Sequence, residues 1–120
     1  MDDSPISRRM LKSCIPQDRG YELFEASDGL AGFEAYKEIR PDVTFMDLTM
    51  PVMDGNEATA KIIELDPGAV VIACTADIQV KSITRILALG ALLVVRKPSS
   101  KASVEDALTR AEKNLRQADG

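Results

Sequence analysis

The stretch Val43-Thr44-Phe45-Met46-Asp47-Leu48-Thr49-Met50-Pro51-Val52-Met53-Asp54-Gly55 decides the fold. Its apolar start, with β-branched Val43 and Thr44, predicts a buried strand, and its Pro/Asp/Gly-bearing continuation predicts a loop. The strand therefore ends on a carboxylate, Asp47. In open α/β sheets, chemistry gathers at the carboxyl ends of strands. An isolated Asp in that position is ordinarily a turn former. Asp47 gains weight from its company: Asp2-Asp3 stands at the start of the first helix, and Thr75 and Lys97 follow two other strands.

Toward the N-terminus, Arg40-Pro41-Asp42 stops a helix that Asp28 can cap and that turns Leu30, Ala31, Ala35 and Ile39 inward. Before it, Tyr21-Glu22-Leu23-Phe24-Glu25 reads as a short edge strand, and residues 16–20 as a polar break. Ser4-Pro5 opens the first helix, with Ser as N-cap and Pro at the first helical position. Ile6, Met10 and Cys14 recur at i, i+4, i+8 as its apolar stripe, flanked by Leu11 and Ile15, while Arg8, Arg9 and Lys12 form its wet face.

Toward the C-terminus, a helix is predicted over 56–65, with Asp54 as a loop-capping residue and Asp66-Pro67-Gly68 as the turn after it. Residues 69–74 are apolar on both faces, as a central parallel strand should be. Val80, Ile83 and Leu87 give a helical stripe that ends at Leu89-Gly90. Residues 91–95 form another buried strand, which runs into Arg96-Lys97-Pro98. Ser99-Ser100 opens a last helix with Val104, Leu108, Ala111 and Leu115 inward, and residues 117–120 read as a frayed end. The alternation predicts an α/β domain with a parallel sheet of four strands, lacking one at the front because the chain begins on a helix.

At 120 residues and 45% hydrophobic content, the chain fits one domain with one core. A net charge of −4 argues against a nucleic-acid surface, and no apolar run is long enough to span a membrane. No signal peptide is visible. Cys14 and Cys74 lie in apolar surroundings and read as buried thiols of a cytoplasmic protein. The absence of histidine excludes His-dependent metal sites and triads.

The chemistry follows from convergence. If the first helix leaves the carboxyl edge of the sheet directly, Asp2, Asp3 and Asp47 meet there. Three close carboxylates repel and call for a cation, and an all-oxygen donor set favours Mg²⁺. The Thr49 carbonyl can add a ligand from the loop. Asp47 is then a candidate nucleophile that forms an aspartyl phosphate, Lys97 a point charge for the phosphoryl group, and Thr75 a hydrogen-bond donor to it. A phosphatase with the same nucleophile is disfavoured. Such enzymes use a second Asp two residues on as general acid, and Thr49 cannot do that work at neutral pH.

These residues resemble the receiver domain of bacterial two-component response regulators. The matching pieces are Asp2-Asp3-Ser4, Asp28-Gly29, Asp47 with Met50-Pro51-Val52-Met53-Asp54-Gly55, Thr75-Ala76, Leu89-Gly90-Ala91 and Lys97-Pro98. The resemblance covers nearly all of residues 1–120 and implies a flavodoxin-like parallel sheet with helices on both faces. It implies that Asp47 is phosphorylated by a histidine kinase or a phosphotransfer protein. Asp3, Asp47 and the Thr49 carbonyl would bind Mg²⁺ directly, and Asp2 through water. It also implies a switch in which Thr75 moves toward the phosphoryl group and a partner-binding face repacks, read by a downstream protein target or a covalently attached output domain. The alternative is a degenerate receiver that binds partners without phosphorylation.

Two departures stand out. The family places an aromatic residue three before the lysine, where this chain has Val94. The family's first strand precedes the acid pair, where this chain has only Met1, so the domain reads as truncated at its N-terminus. Loss of a buried central strand is expected to cost on the order of 6–15 kcal/mol. That predicts a rearranged sheet, with residues 21–25 sliding against the Asp47 strand, or a symmetric homo-oligomer through exchanged elements. The acid pair is then expected on a fraying terminus, with weakened metal binding.

Overall fold

Most of the helices begin where the sequence supplies a cap. In a computed structural model, which describes residues 1–16, 20–50 and 52–119, α1 spans Pro5–Cys14, with the Ser4 hydroxyl accepting from the Ser7 N–H and Pro5 in the first turn. Helix α2 spans Gly29–Ile39, capped by Asp28, and α3 spans Gly55–Leu65, capped by Asp54. Helix α4 spans Val80–Ala88 and is followed by Gly90 at φ 116°, a left-handed stop that glycine adopts without steric cost. Helix α5 spans Lys101–Asp119, so the end expected to fray continues helical to Asp119. The predicted polar break over 16–20 falls mostly on residues 17–19, and these, with Pro51 and Gly120, lie outside the described residues.

The strands are β1, Thr44–Asp47; β2, Val71–Thr75; and β3, Leu93–Arg96. They form one parallel sheet in the order β1-β2-β3, with Asp47 opposite Cys74 and Thr75 opposite Arg96. All of β2 is buried, as its two-faced apolar sequence predicts. Met46, Val71 and Ala73 face one layer, packed with Tyr36 of α2, Ala58 and Ile62 of α3, and Ile86 of α4. Ile72, Cys74 and Val95 face the other, packed with Ala107 and Ala111 of α5, while α1 joins that layer through Cys14 against Val104 and Leu108. The molecule is thus a three-layer α/β domain with helices on both faces of a parallel sheet.

Among the described residues the sheet has three strands, not the four expected. Residues 21–25 form no strand and do not slide against β1. Instead the backbone of Met1 lies along that edge: its amino group donates to the Phe45 carbonyl at 2.6 Å, and its carbonyl accepts from the Asp47 N–H at 2.9 Å. Those two bonds are the pattern of one rung of a parallel ladder. With that position on the edge taken, residues 21–25 are held by side chains. Glu25 pairs with Arg8 at 3.3 Å and Lys12 at 3.2 Å, and Tyr21 hydrogen-bonds Glu112. Leu23 and Phe24 are exposed.

The helical stripes are also rotated from expectation. In α1, Ile6 and Met10 are exposed, and contact with the neighbouring layer passes to Cys14, Leu11 and Ile15. In α2, Leu30 and Ile39 are exposed, while Gly29, Gly32 and Tyr36 are buried. The glycines explain the rotation. A Cβ on Gly29 would stand 2.0 Å from the Met53 carbonyl oxygen, and one on Gly32 would stand 2.1 Å from the Met1 sulfur, so at these two positions α2 approaches its neighbours closely. In α4, Ile86 takes the core position, and Val80 and Leu87 face outward.

Candidate functional site

The ladder extends past the strand ends and fixes the loops that leave them. Leu48 N–H donates to the Cys74 carbonyl at 3.3 Å, and Lys97 N–H to the Thr75 carbonyl at 2.8 Å. Asp47, Thr75 and Lys97 thus start from one hydrogen-bonded edge. Asp2 is brought to the same edge because Met1 is bonded to β1 and the Asp2 N–H donates to the Ala26 carbonyl at 3.0 Å. A peptide bond joins Lys97 and Pro98 in the cis form.

Asp2 and Asp47 are buried, 6% and 7% exposed, and both are bound by one ammonium. Lys97 Nζ lies 2.8 Å from Asp2 Oδ2 and 3.0 Å from Asp47 Oδ1. The other Asp2 oxygen accepts from the Ser4 N–H at 2.9 Å, and the Asp2 carbonyl accepts from Arg8 at 2.6 Å. The acid pair is therefore not frayed: Asp2 is fixed from three directions, and only Asp3 is exposed. Ligand oxygens of Asp2, Asp3 and Asp47 all lie within 4.8 Å of one another. A pocket of about 260 Å³ opens between α1 and the loop after β3, lined by Asp2, Asp47, Cys74, Lys97 and Pro98 among others.

Electrostatics match the crowding. Burial pushes the Asp47 carboxyl above the usual carboxylate range, and the Asp2 charge adds to this, while Lys97 and the Thr49 N–H oppose it. For Lys97, burial works to lower its pKa, but hydrogen bonds to Asp2 and Asp47 outweigh it, so the net shift is upward and the ammonium persists. Burial also pushes the Cys74 thiol up to about 12, so it is a protonated, structural thiol, as expected. Both cysteines are buried.

Thr75, 6% exposed, sits at the end of β2 with its hydroxyl accepting from the Asp77 N–H at 3.0 Å. Thr49 is exposed in the loop beyond Asp47. In that loop Val52 holds φ 66°, an uncommon conformation for a β-branched residue. Gly55 lets α3 close on the strand: a Cβ there would stand 2.1 Å from the Asp47 carbonyl oxygen. Sequence reasoning missed Ser4, Arg8 and Met1 as supports of the acid cluster, and Asp77 and Ser82 beyond Thr75. The only signal for the latter pair is polar residues spaced closely after a strand, where Asx and Ser/Thr turns form.

A divalent cation fits this site by its donors. They are all oxygen, two of the three carboxylates share one bonded ammonium, and the third, Asp3, stays open to solvent.

Parallel sheet and flanking helices together define the flavodoxin-like class of α/β domain. Within that class the chain belongs to the response regulator receiver domain family, whose pattern matches residues 1–109. It is 38% identical over 114 residues to the chemotaxis protein CheY of Thermotoga maritima, covering 94% of each chain. Among solved structures, the REC domain of AraT, a response regulator from Geobacillus stearothermophilus, superimposes with a TM-score of 0.89 at 26% identity, over 99% of this chain and 94% of that one. CheY in a CheX–CheY–BeF3–Mg complex from Borrelia burgdorferi superimposes with a TM-score of 0.84 at 29% identity, over 91% of this chain and 83% of that one. Receiver domains are signalling proteins of two-component and chemotaxis systems rather than enzymes of metabolism, and phosphorylation and Mg²⁺ are typical of the family. No described helix is long and apolar enough to cross a membrane.

Proposed function

We propose that this protein is a phosphoacceptor signalling domain, phosphorylated on Asp47 by a histidine kinase or a phosphotransfer protein. One observation carries the reading: Lys97 Nζ touches both buried carboxylates, Asp2 and Asp47, at the carboxyl edge of a parallel sheet. An Asp47 carboxylate oxygen forms a bond to phosphorus as the phosphorus–nitrogen bond of a phosphohistidine breaks. The electron pair of that bond stays with the imidazole nitrogen, which takes up a proton. Lys97 holds the carboxylate and offers its charge to the incoming phosphoryl oxygens, and the Thr75 hydroxyl offers a hydrogen bond to another. Asp2, Asp3, Asp47 and the Thr49 carbonyl would hold Mg²⁺, which when bound supplies neutralising charge for those oxygens.

On this reading, residues 1–120 form a single receiver domain acting in the cytoplasm. Its catalysis is limited to its own phosphorylation and dephosphorylation. Its output passes to a downstream protein target or an attached output domain, with no role for nucleic acid or membrane. A homo-oligomer formed by exchanged elements is part of the same proposal, because exposed Leu23 and Phe24 would be covered in it.

A second reading, a phosphorylation-independent interaction module, is favoured by Val94. It is half-buried on β3 and has no ring to swing. Incubation with acetyl phosphate and Mg²⁺, followed by intact-mass measurement, separates the two. The first predicts one added phosphoryl group, lost with EDTA and absent from Asp47→Ala. An unchanged mass in the wild type supports the second.

A further inference from the structure

Both backbone polar groups of Asp2 lead out of the acid cluster to one arch. The Asp2 N–H donates to the Ala26 carbonyl at 3.0 Å, and the Asp2 carbonyl accepts from Arg8 Nη1 at 2.6 Å. Arg8 and Ala26 are themselves joined. Arg8 Nε lies 3.3 Å from Glu25 Oε1, and Glu25 directly precedes Ala26. The circuit therefore closes, from Asp2 through Ala26 and Glu25 to Arg8 and back to Asp2. Lys12, about one helical turn after Arg8, takes the other Glu25 oxygen at 3.2 Å. Arg8 and Lys12, the wet face of α1, thus grip the same loop that holds the Asp2 N–H.

We propose that Arg8 and Glu25 are positioning residues for Asp2, fixing its backbone so that its carboxylate stays against Lys97 and beside Asp47, and thereby raising the affinity of the acid cluster for a divalent cation. The guanidinium suits this task because it is a rigid fork: Nη1 serves Asp2 while Nε serves Glu25, and the angle between the two bonds is set by a planar group. A lysine at position 8 would carry the charge without the fork. The Lys12 hydrogen bond holds the Glu25 carboxyl below the usual carboxylate range, so it remains a charged and strong acceptor for Arg8. Positioning and charge make opposite demands here. A positive group beside the cluster repels a metal ion, so an Arg8 acting only through its charge would weaken cation binding. An Arg8 that holds Asp2 in place strengthens it, as outer-shell partners of metal ligands do. The functional half of this proposal rests on Asp2, Asp3 and Asp47 as the cation site. The structural half rests on the hydrogen bonds and ion pairs alone.

The test uses the full chain with Arg8→Gln, Arg8→Lys and Glu25→Ala, read by titration with Mg²⁺ alone and by amide exchange with solvent in metal-free buffer. Arg8→Gln should weaken Mg²⁺ binding by roughly tenfold, although it removes a positive charge. Arg8→Lys, which keeps that charge, should weaken it nearly as much. Glu25→Ala should weaken it by a smaller factor and should add nothing in the Arg8→Gln background. Without metal, Arg8→Gln should speed exchange of the Asp2 amide by roughly threefold to tenfold, with α5 amides unchanged. Tighter Mg²⁺ binding by Arg8→Gln, or full affinity in Arg8→Lys, overturns the proposal, because charge alone would then account for Arg8. Unchanged Asp2 exchange overturns it as well. If the wild type binds no Mg²⁺, the cation-site reading fails, and the Asp2 exchange rate still decides whether the arch positions Asp2.

Discussion

Lys97 Nζ lies 3.0 Å from Asp47 Oδ1, and the same ammonium lies 2.8 Å from Asp2 Oδ2. One side chain thus bridges two buried acids that would otherwise face each other across the end of the sheet, and offsets part of their charge. Replacing it by the neutral, similarly shaped Met leaves those charges uncompensated. Lys97→Met should destabilise the metal-free protein by about 1–3 kcal/mol. It should also bind Mg²⁺ more tightly, because the carboxylates have lost their competing cation, while phosphorylation falls. Urea unfolding with and without Mg²⁺ checks this: the metal should stabilise the variant by more than it stabilises the wild type.

Burial raises the Asp47 pKa above its ordinary 3.8. The folded protein therefore binds that proton more tightly than the unfolded chain does. The stabilising effect of protonation is fully present below pH 3.8 and is lost as pH rises through the raised folded value. Asp47→Asn imitates the protonated acid. In metal-free buffer at pH 7 it should raise Tm by about 2–6 °C, and the gain should vanish near pH 3. An equal gain at both values would mean that something other than the charge is responsible.

Asp3 differs from Asp2 in being exposed and in the metal-site geometry only through its proximity. Asp3→Asn should leave metal-free stability within about 0.5 kcal/mol of wild type. It should weaken Mg²⁺ binding by roughly tenfold or more, because one of three carboxylates is lost. Asp2→Asn, by contrast, should cost stability in metal-free buffer by breaking its bond to Lys97. Isothermal titration and thermal melts on the two variants give the comparison.

Gly55 begins α3 against the strand end, and an added Cβ would meet the Asp47 carbonyl oxygen at 2.1 Å and the Leu48 Cα at 2.6 Å. Both neighbours are backbone and cannot move aside cheaply. Gly55→Ala should destabilise by about 2–4 kcal/mol in urea and displace Asp47 enough to slow phosphorylation. A stability unchanged from wild type would show that α3 shifts freely on the sheet.

Much of this was legible in the chain. The caps at Ser4, Asp28 and Asp54, the two-faced apolar run of β2 and the stop at Gly90 all follow from local steric and hydrogen-bonding rules. The candidate site residues Asp2, Asp47 and Lys97 were legible from residue type and place, because strand ends of a parallel sheet point to one edge. The rotation of α1 and α2 was not legible. Ile6, Met10, Leu30 and Ile39 form good apolar stripes, but on α2 Gly29 and Gly32 permit a closer approach than Leu30 and Ile39 do. The edge strand at 21–25 was also misread: alternating polarity measures suitability for a sheet, not whether a partner edge is open.

The sequence by itself determined the α/β class, the parallel sheet and the identity of the groups at its carboxyl edge, since periodicity, caps and the position of acids after strands are local properties. Only the tertiary structure decided that Met1 takes a place on the β1 edge and that one Lys97 ammonium joins Asp2 to Asp47. It alone linked Asp2 through Arg8 to Glu25. These depend on distances between residues far apart in the chain, which packing fixes and local pattern does not encode.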